Sequence, residues 1–106
     1  MPGVDLNYFM RQASKLSEKL EQRKKELAEM TVEGQAGEGR VKVVATGAGE
    51  VRTIHISPEV VNAGDVAMME DLVAAAVNAA LTQARELSEK ELGKISGGLK
   101  IPGLTG

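Results

Sequence analysis

The chain has 106 residues, a length that suits one domain. It is 42% hydrophobic with one Phe, one Tyr and no Trp, so its core must be small and built from Val, Leu, Ile and Ala. The absence of cysteine excludes a disulfide framework and thiolate metal sites, and a net charge of −2 excludes nucleic-acid binding by bulk charge alone.

The distribution of charge is more informative than its sum. Residues 1–30 carry six basic and five acidic groups, a balance of +1, whereas residues 65–84 carry three acids and no base. The bases gather in the first thirty residues and towards the far end. No apolar run approaches the length of a membrane span, and MPGVDLNYF lacks the basic-then-apolar shape of a signal peptide. The expectation is a soluble intracellular protein in a reducing compartment.

The spacing predicts a long helix over 4–30. Leu6, Phe9, Ala13, Leu16, Leu20, Leu27 and Met30 fall on a three-and-four spacing that suits a contact along one stripe. Arg23 breaks the stripe where an apolar residue belongs. About 25 residues of helix run roughly 37 Å, whereas a compact domain of this size has a radius of gyration near 13 Å. The helix must therefore project or lie against a partner chain, which argues for a dimer, unless it folds back on its own chain. Its other face is basic: Arg11, Lys15, Lys19 and Arg23 recur every four residues, and Lys24 and Lys25 extend the row. Glu18, Glu21, Glu26 and Glu29 dilute it. The row reads either as a solvated face or as a set of phosphate contacts.

From Thr31 the period changes. Residues 31–57 read as three strands, with turns at Gly37-Glu38-Gly39 and Gly47-Ala48-Gly49. Val41, Val43 and Ala45 alternate with Arg40, Lys42 and Val44, and Ile54 and Ile56 alternate with Thr53 and His55. Short glycine turns predict an antiparallel meander. They lack the strand-to-helix setting of a phosphate loop. Ser57-Pro58 then reads as the cap and first position of a short helical turn that ends at Asn62-Ala63-Gly64.

A second long helix is predicted over 65–95, with Asp65 as N-cap and Glu70 and Asp71 in its early turns. Val66, Met69, Val73, Ala76, Val77, Ala80, Leu81 and Ala84 recur at helical spacing. The alanines at 76, 80 and 84 make a row low enough for another backbone to approach. A sheet or a second copy of the helix can pack there, and ordinary amphipathic core explains the row as well. Beyond Ala84 the signs alternate through Arg85, Glu86, Glu89, Lys90, Glu91 and Lys94, so this half is expected to face solvent. Residues 96–106 read as a short glycine-rich, flexible tail.

Catalysis is hard to build from these residues. His55 is the single histidine and sits in a strand, where it reads as a packing residue. No second nitrogen or thiolate accompanies it for zinc, and no serine lies in a nucleophile-elbow pattern. Glu70 and Asp71 point to different sides of a helix. An enzyme is not expected.

Five stretches together resemble one family. VEGQAGEGRVKV, GAGEV, the I-x-I-x-PE pattern of Ile54, Ile56, Pro58 and Glu59, EDLVAAAVNAA and GGLKIPGL occur in the order and spacing of the YbaB/EbfC family of bacterial nucleoid-associated proteins. Each is weak alone, five in register are specific, and the resemblance covers nearly the whole chain. Ser57 stands where the family pattern carries aspartate, and both residues cap helices. The resemblance implies an α+β fold, α-β-β-β-α in one domain over 1–106, assembled as a tweezer-like homodimer with projecting helices. It also implies cytoplasmic, nucleoid-associated duplex-DNA binding that alters DNA conformation and contributes to nucleoid organisation and gene regulation, without catalysis, metal or cofactor.

Charge placement, not the resemblance, nominates the DNA-binding residues: Arg11, Lys15, Lys19, Arg23, Lys24 and Lys25 on the first helix, with Arg85, Lys90 and Lys94 near the end of the second. Phosphate contacts carry little sequence information, and no helix is rich in base-reading residues, so little sequence preference is expected. The acids between Asp65 and Asp71 should face away from DNA. The competing reading is a dimeric protein-binding scaffold or adaptor in DNA replication or repair, which the net negative charge and diluted basic row keep open.

Overall fold

Asp5 starts the first helix, because its carboxylate accepts a hydrogen bond from the Tyr8 amide at 3.3 Å. This computed structural model describes residues 5–97. Helix α1 spans Leu6–Leu27, inside the expected 4–30. Beyond Leu27 the amides of Glu29 and Met30 donate three residues back, to Glu26 and Leu27, and the Met30 carbonyl accepts from the Gly47 amide at 2.9 Å where the chain enters the sheet. Strands β1 (Thr31–Ala36), β2 (Val41–Thr46) and β3 (Val51–Ile56) form an antiparallel meander in the order β1-β2-β3. Helix α2 (Pro58–Asn62) is the expected short turn, with Ser57 Oγ accepting from the Val60 amide. Helix α3 (Val66–Ser96) has 31 residues and begins at Asp65, whose carboxylate accepts from the Met68 amide at 3.0 Å. From residue 98, the expected tail lies outside the described residues.

The two sheet turns use their glycines differently. Gly37, Glu38 and Gly39 all have positive φ, 62°, 57° and 84°. Glycine accepts that conformation freely, and Glu38 holds it between glycine neighbours. Gly47 is needed for space instead. A Cβ there would lie 2.7 Å from the Leu27 carbonyl oxygen, so the turn between β2 and β3 presses on the end of α1. Thr46, nearly fully buried, organises that turn by accepting from the amides of Ala48 and Glu50.

One face of the sheet carries the core. Val41, Val43 and Ala45 of β2 are fully buried against Ala76 and Ala80 of α3. The alanine row is thus where the sheet packs. The closest approach is at Gly34 of β1, where a Cβ would stand 2.5 Å from the Ala76 carbonyl oxygen and 2.7 Å from the Ala80 Cα. Small residues on α3 and no side chain on Gly34 bring two backbones together. The opposite sheet face, with Lys42, Thr53 and His55, is open to water.

Helix α3 covers β1 and β2 and leaves β3 largely bare. Ile54, expected to alternate inward, is 47% exposed, and Val51 is 40% exposed. A bulge between Val44 and Ala45 displaces the β3 register, because Thr53 pairs with Val44 and Val51 with Ala45. The extra residue, Arg52, donates to the Ala28 carbonyl at the C-terminal end of α1. The molecule is long, 75 × 27 × 16 Å, with a radius of gyration of 20.3 Å. That exceeds the compact value near 13 Å because α3 is itself 31 residues long and the N-terminal half of α1 projects.

Candidate nucleic-acid interface

Among the described residues, contacts anchor only the C-terminal part of α1. Leu27 is buried, Leu16 and Leu20 are half-buried, and every residue from Leu6 to Lys15 is exposed. Its partner is the C-terminal half of α3. The alternating signs there were expected to face solvent throughout, and Arg85, Glu86, Glu89, Lys90 and Lys94 do. Glu91 does not: it is 9% exposed and turned towards α1. Leu92 borders Leu27 and Lys24, and Ile95 borders Leu16 and Lys19. A charged pattern concealed a packing seam.

Arg23 explains its own break in the apolar stripe. One guanidinium nitrogen lies 3.1 Å from Glu91 Oε1, and the other lies 3.2 Å from Glu26 Oε1. The second Glu91 oxygen lies 3.0 Å from Lys94 Nζ. A chain of alternating charge, Glu26–Arg23–Glu91–Lys94, therefore crosses from one helix to the other. Lys94 and then Arg23 hold the Glu91 carboxyl below its ordinary range, although burial opposes them. Glu91, followed by Glu26, holds the Arg23 guanidinium above its ordinary value. Because the Glu91 pKa is depressed in the folded state, its contribution to stability is complete above the unfolded glutamate value, about 4.3. It is lost as pH falls through the lower folded value. Thermal melts between pH 5 and 3 should show a smaller fall in Tm for Glu91→Gln than for the native chain.

The nominated bases fall into separate groups. Lys15, Lys19 and Arg23 line one groove with Gln22 and Ile95, in company with Glu18 and Glu26. Lys24 lies on another groove, beside Leu27, Gly47, Ser88 and Leu92, and pairs with Glu21 at 3.7 Å. Arg11, Lys25, Arg85 and Lys90 are exposed. Among the described residues Arg11, Lys15, Lys19, Lys25, Arg85 and Lys90 form no ion pair, whereas Arg23, Lys24 and Lys94 do. The acids of early α3 are remote: Glu70 and Lys90, twenty residues apart on one helix, are separated by roughly 30 Å.

Sequence reasoning missed Glu91. Its signal was indirect: an arginine on an apolar stripe requires a carboxylate wherever that stripe is buried. Among the described residues no comparable chain of ion pairs forms elsewhere. His55 is exposed on the open sheet face. Among the described residues, no group of three His, Cys, Asp or Glu side chains could hold a metal ion, and no helix is long and apolar enough to cross a membrane.

Comparison with known proteins agrees with this architecture. The model of the YbaB/EbfC DNA-binding family matches residues 1–99. A nucleoid-associated protein of Myxococcus xanthus is 60% identical over 105 residues, covering 99% of this chain and all of the relative. A nucleoid-associated protein of Caldanaerobacter subterraneus is 47% identical, covering 96% of this chain and 92% of the relative. Among solved structures, an uncharacterized protein of Helicobacter pylori has the same fold, with a TM-score of 0.70 at 15% identity, covering 92% of this chain and 98% of that one. DNA-binding proteins of this kind are not a class of enzymes. With a family model and full-length relatives in agreement, the chain belongs to the YbaB/EbfC DNA-binding family.

Proposed function

We propose that this protein is a nucleoid-associated protein that binds duplex DNA as a homodimer. The projecting half of α1 carries the contact through Arg11, Lys15 and Lys19, and Arg85, Lys90 and Lys94 of α3 add to the same rim, with Lys24 and Lys25 at its margin. The observation that supports this most is the set of exposed bases on α1, Arg11, Lys15, Lys19 and Lys25, that form no ion pair among the described residues and lie far from the acids of early α3. A base row without carboxylate partners among the described residues is free to replace the counterions of phosphates. Such contacts carry little sequence information, so the protein coats or reshapes DNA with little preference and acts on nucleoid organisation and gene regulation from within the cytoplasm.

The homodimer reading is supported by apolar surface that one chain leaves uncovered. Val51 and Ile54 lie on the core face of the sheet beyond the reach of α3, and Leu6, Phe9 and Met10 are exposed at the start of α1. That second patch also favours the alternative, a dimeric scaffold in DNA replication or repair whose partner covers it. One titration separates the readings. Fluorescence anisotropy with a short duplex should report binding at low salt that weakens linearly in log–log form as salt rises. Sedimentation in the same buffer should give twice the 11.2 kDa chain mass. A dimer with no DNA binding at low salt would refute the DNA reading in favour of the scaffold.

A further inference from the structure

We propose that Arg23 and Glu91 are positioning residues: their ion pair clasps α1 to α3 and sets the direction in which the projecting half of α1 points. Among the described residues two anchors hold α1, with half-buried Leu16 and Leu20 further out beside the end of α3. The lower one is Leu27, 2% exposed, with Gly47 packed on it and Arg52 donating to the Ala28 carbonyl. A rod held only there could pivot. The upper anchor is the Arg23–Glu91 pair, one turn further along.

Above that turn, α1 has Ile95 as its neighbour on the last turn of α3, and from Lys15 back to Leu6 each residue is exposed. From Leu27 to Arg23 is roughly 6 Å along the axis, and from Arg23 to Leu6 roughly 26 Å. By that lever, a 1 Å shift at the clasp becomes about 5 Å at the tip, enough to move Arg11 and Lys15 off phosphates they would otherwise meet.

Chemistry favours arginine and glutamate for this task. The guanidinium fork meets Glu26 and Glu91 with different nitrogens, and the two Glu91 oxygens meet Arg23 and Lys94. Both ends of the pair are thus held by a second group, which fixes direction as well as distance. No buried side-chain polar atom among the described residues lacks a partner, so the clasp leaves no unsatisfied group behind. Arg23 is committed within the fold, unlike Lys15 and Lys19 beside it.

The inference rests on the DNA-binding reading for its consequence, but its geometry can be measured without DNA. The chain has no cysteine. Spin labels introduced through Gln12→Cys and Ser96→Cys, in dimers diluted with unlabelled chain, report the distance between the α1 arm and the end of α3. The clasp predicts a narrow distribution in the native background and a broad one in Glu91→Met.

DNA binding gives the second readout. Glu91→Met makes the net charge less negative and frees Arg23 and Lys94, so charge alone predicts tighter binding. The clasp predicts binding weakened at least threefold. The double variant Arg23→Met, Glu91→Met leaves the net charge unchanged and places an apolar pair at the crossing, a replacement that commonly preserves packing. It should recover a narrow distribution and near-native affinity with the native salt slope. Tighter binding by Glu91→Met with an unchanged distance distribution would overturn the proposal. So would an Arg23→Met variant whose distribution is unchanged while its salt slope falls by about 0.9 per lost contact, because Arg23 would then be a phosphate ligand. A broad distribution in the native background would also overturn it, whatever the DNA result.

Discussion

Gly34→Val should abolish the native fold or lower its melting temperature by more than about 12 °C. Overpacking a filled core costs roughly 1–3 kcal/mol when side chains can yield, and more when they cannot. Here the obstruction is backbone: the Cβ would meet the Ala76 carbonyl oxygen and the Ala80 Cα. Relief would require α3 to move off β1 and open the layer of Val41, Val43, Ala45, Ala76 and Ala80. A cost of about 3 kcal/mol converts to 12 °C or more at roughly 4–8 °C per kcal/mol in a domain near this size. Gly49→Ala is the control. Its φ of 85° is strained for alanine, but nothing lies within 4 Å of the new carbon, so its cost should stay near 1–2 kcal/mol. Circular dichroism melts of the two variants measure the difference.

Reversing three charges on the projecting arm should have the largest effect on function. Arg11→Glu, Lys15→Glu, Lys19→Glu changes three exposed residues that form no ion pair among the described residues. The fold should therefore be unaffected, with each change within about 0.5 kcal/mol. In a homodimer the substitution removes six bases and adds six acids. Six phosphate contacts correspond to a salt slope of about −5, so affinity at low salt should fall by at least ~100-fold. Anisotropy across a salt series, beside a check that the oligomeric mass is unchanged, measures both quantities. Arg23 is left out of this set because its removal would disturb the seam as well as the charge.

Features set by local chemistry were legible in the sequence. Ser57-Pro58 and Asp65 announced helix starts because a cap needs only its own side chain and an amide three residues on. The two glycine clusters announced the meander. The alanine row announced a close approach, but which element approached depended on Gly34, whose missing side chain is informative only once β1 lies across α3. The projecting α1 was legible because a single-striped helix of that length is long against the compact size expected for 106 residues.

What stayed hidden depended on how elements cover one another. Alternation in β3 pointed Ile54 inward, but α3 is one helix wide and lies over β1 and β2, so Ile54 remains exposed. Glu91 sits in a run of alternating charge that looks solvated, and its burial follows from the packing of α1 along the end of α3. That packing also gives Arg23 its partner and separates it from Arg11, Lys15, Lys19 and Lys25, which form no ion pair among the described residues.

Mapping amide chemical shifts of the isotope-labelled protein as a short duplex is added decides whether DNA lies along the projecting half of α1. Perturbations should concentrate between Tyr8 and Lys19 and in the last turns of α3 around Arg85 to Lys94. Asp65 to Asp71 and the open sheet face around Lys42 and His55 should stay silent. Shifts centred on that sheet face or on early α3, with α1 unperturbed, would contradict that placement.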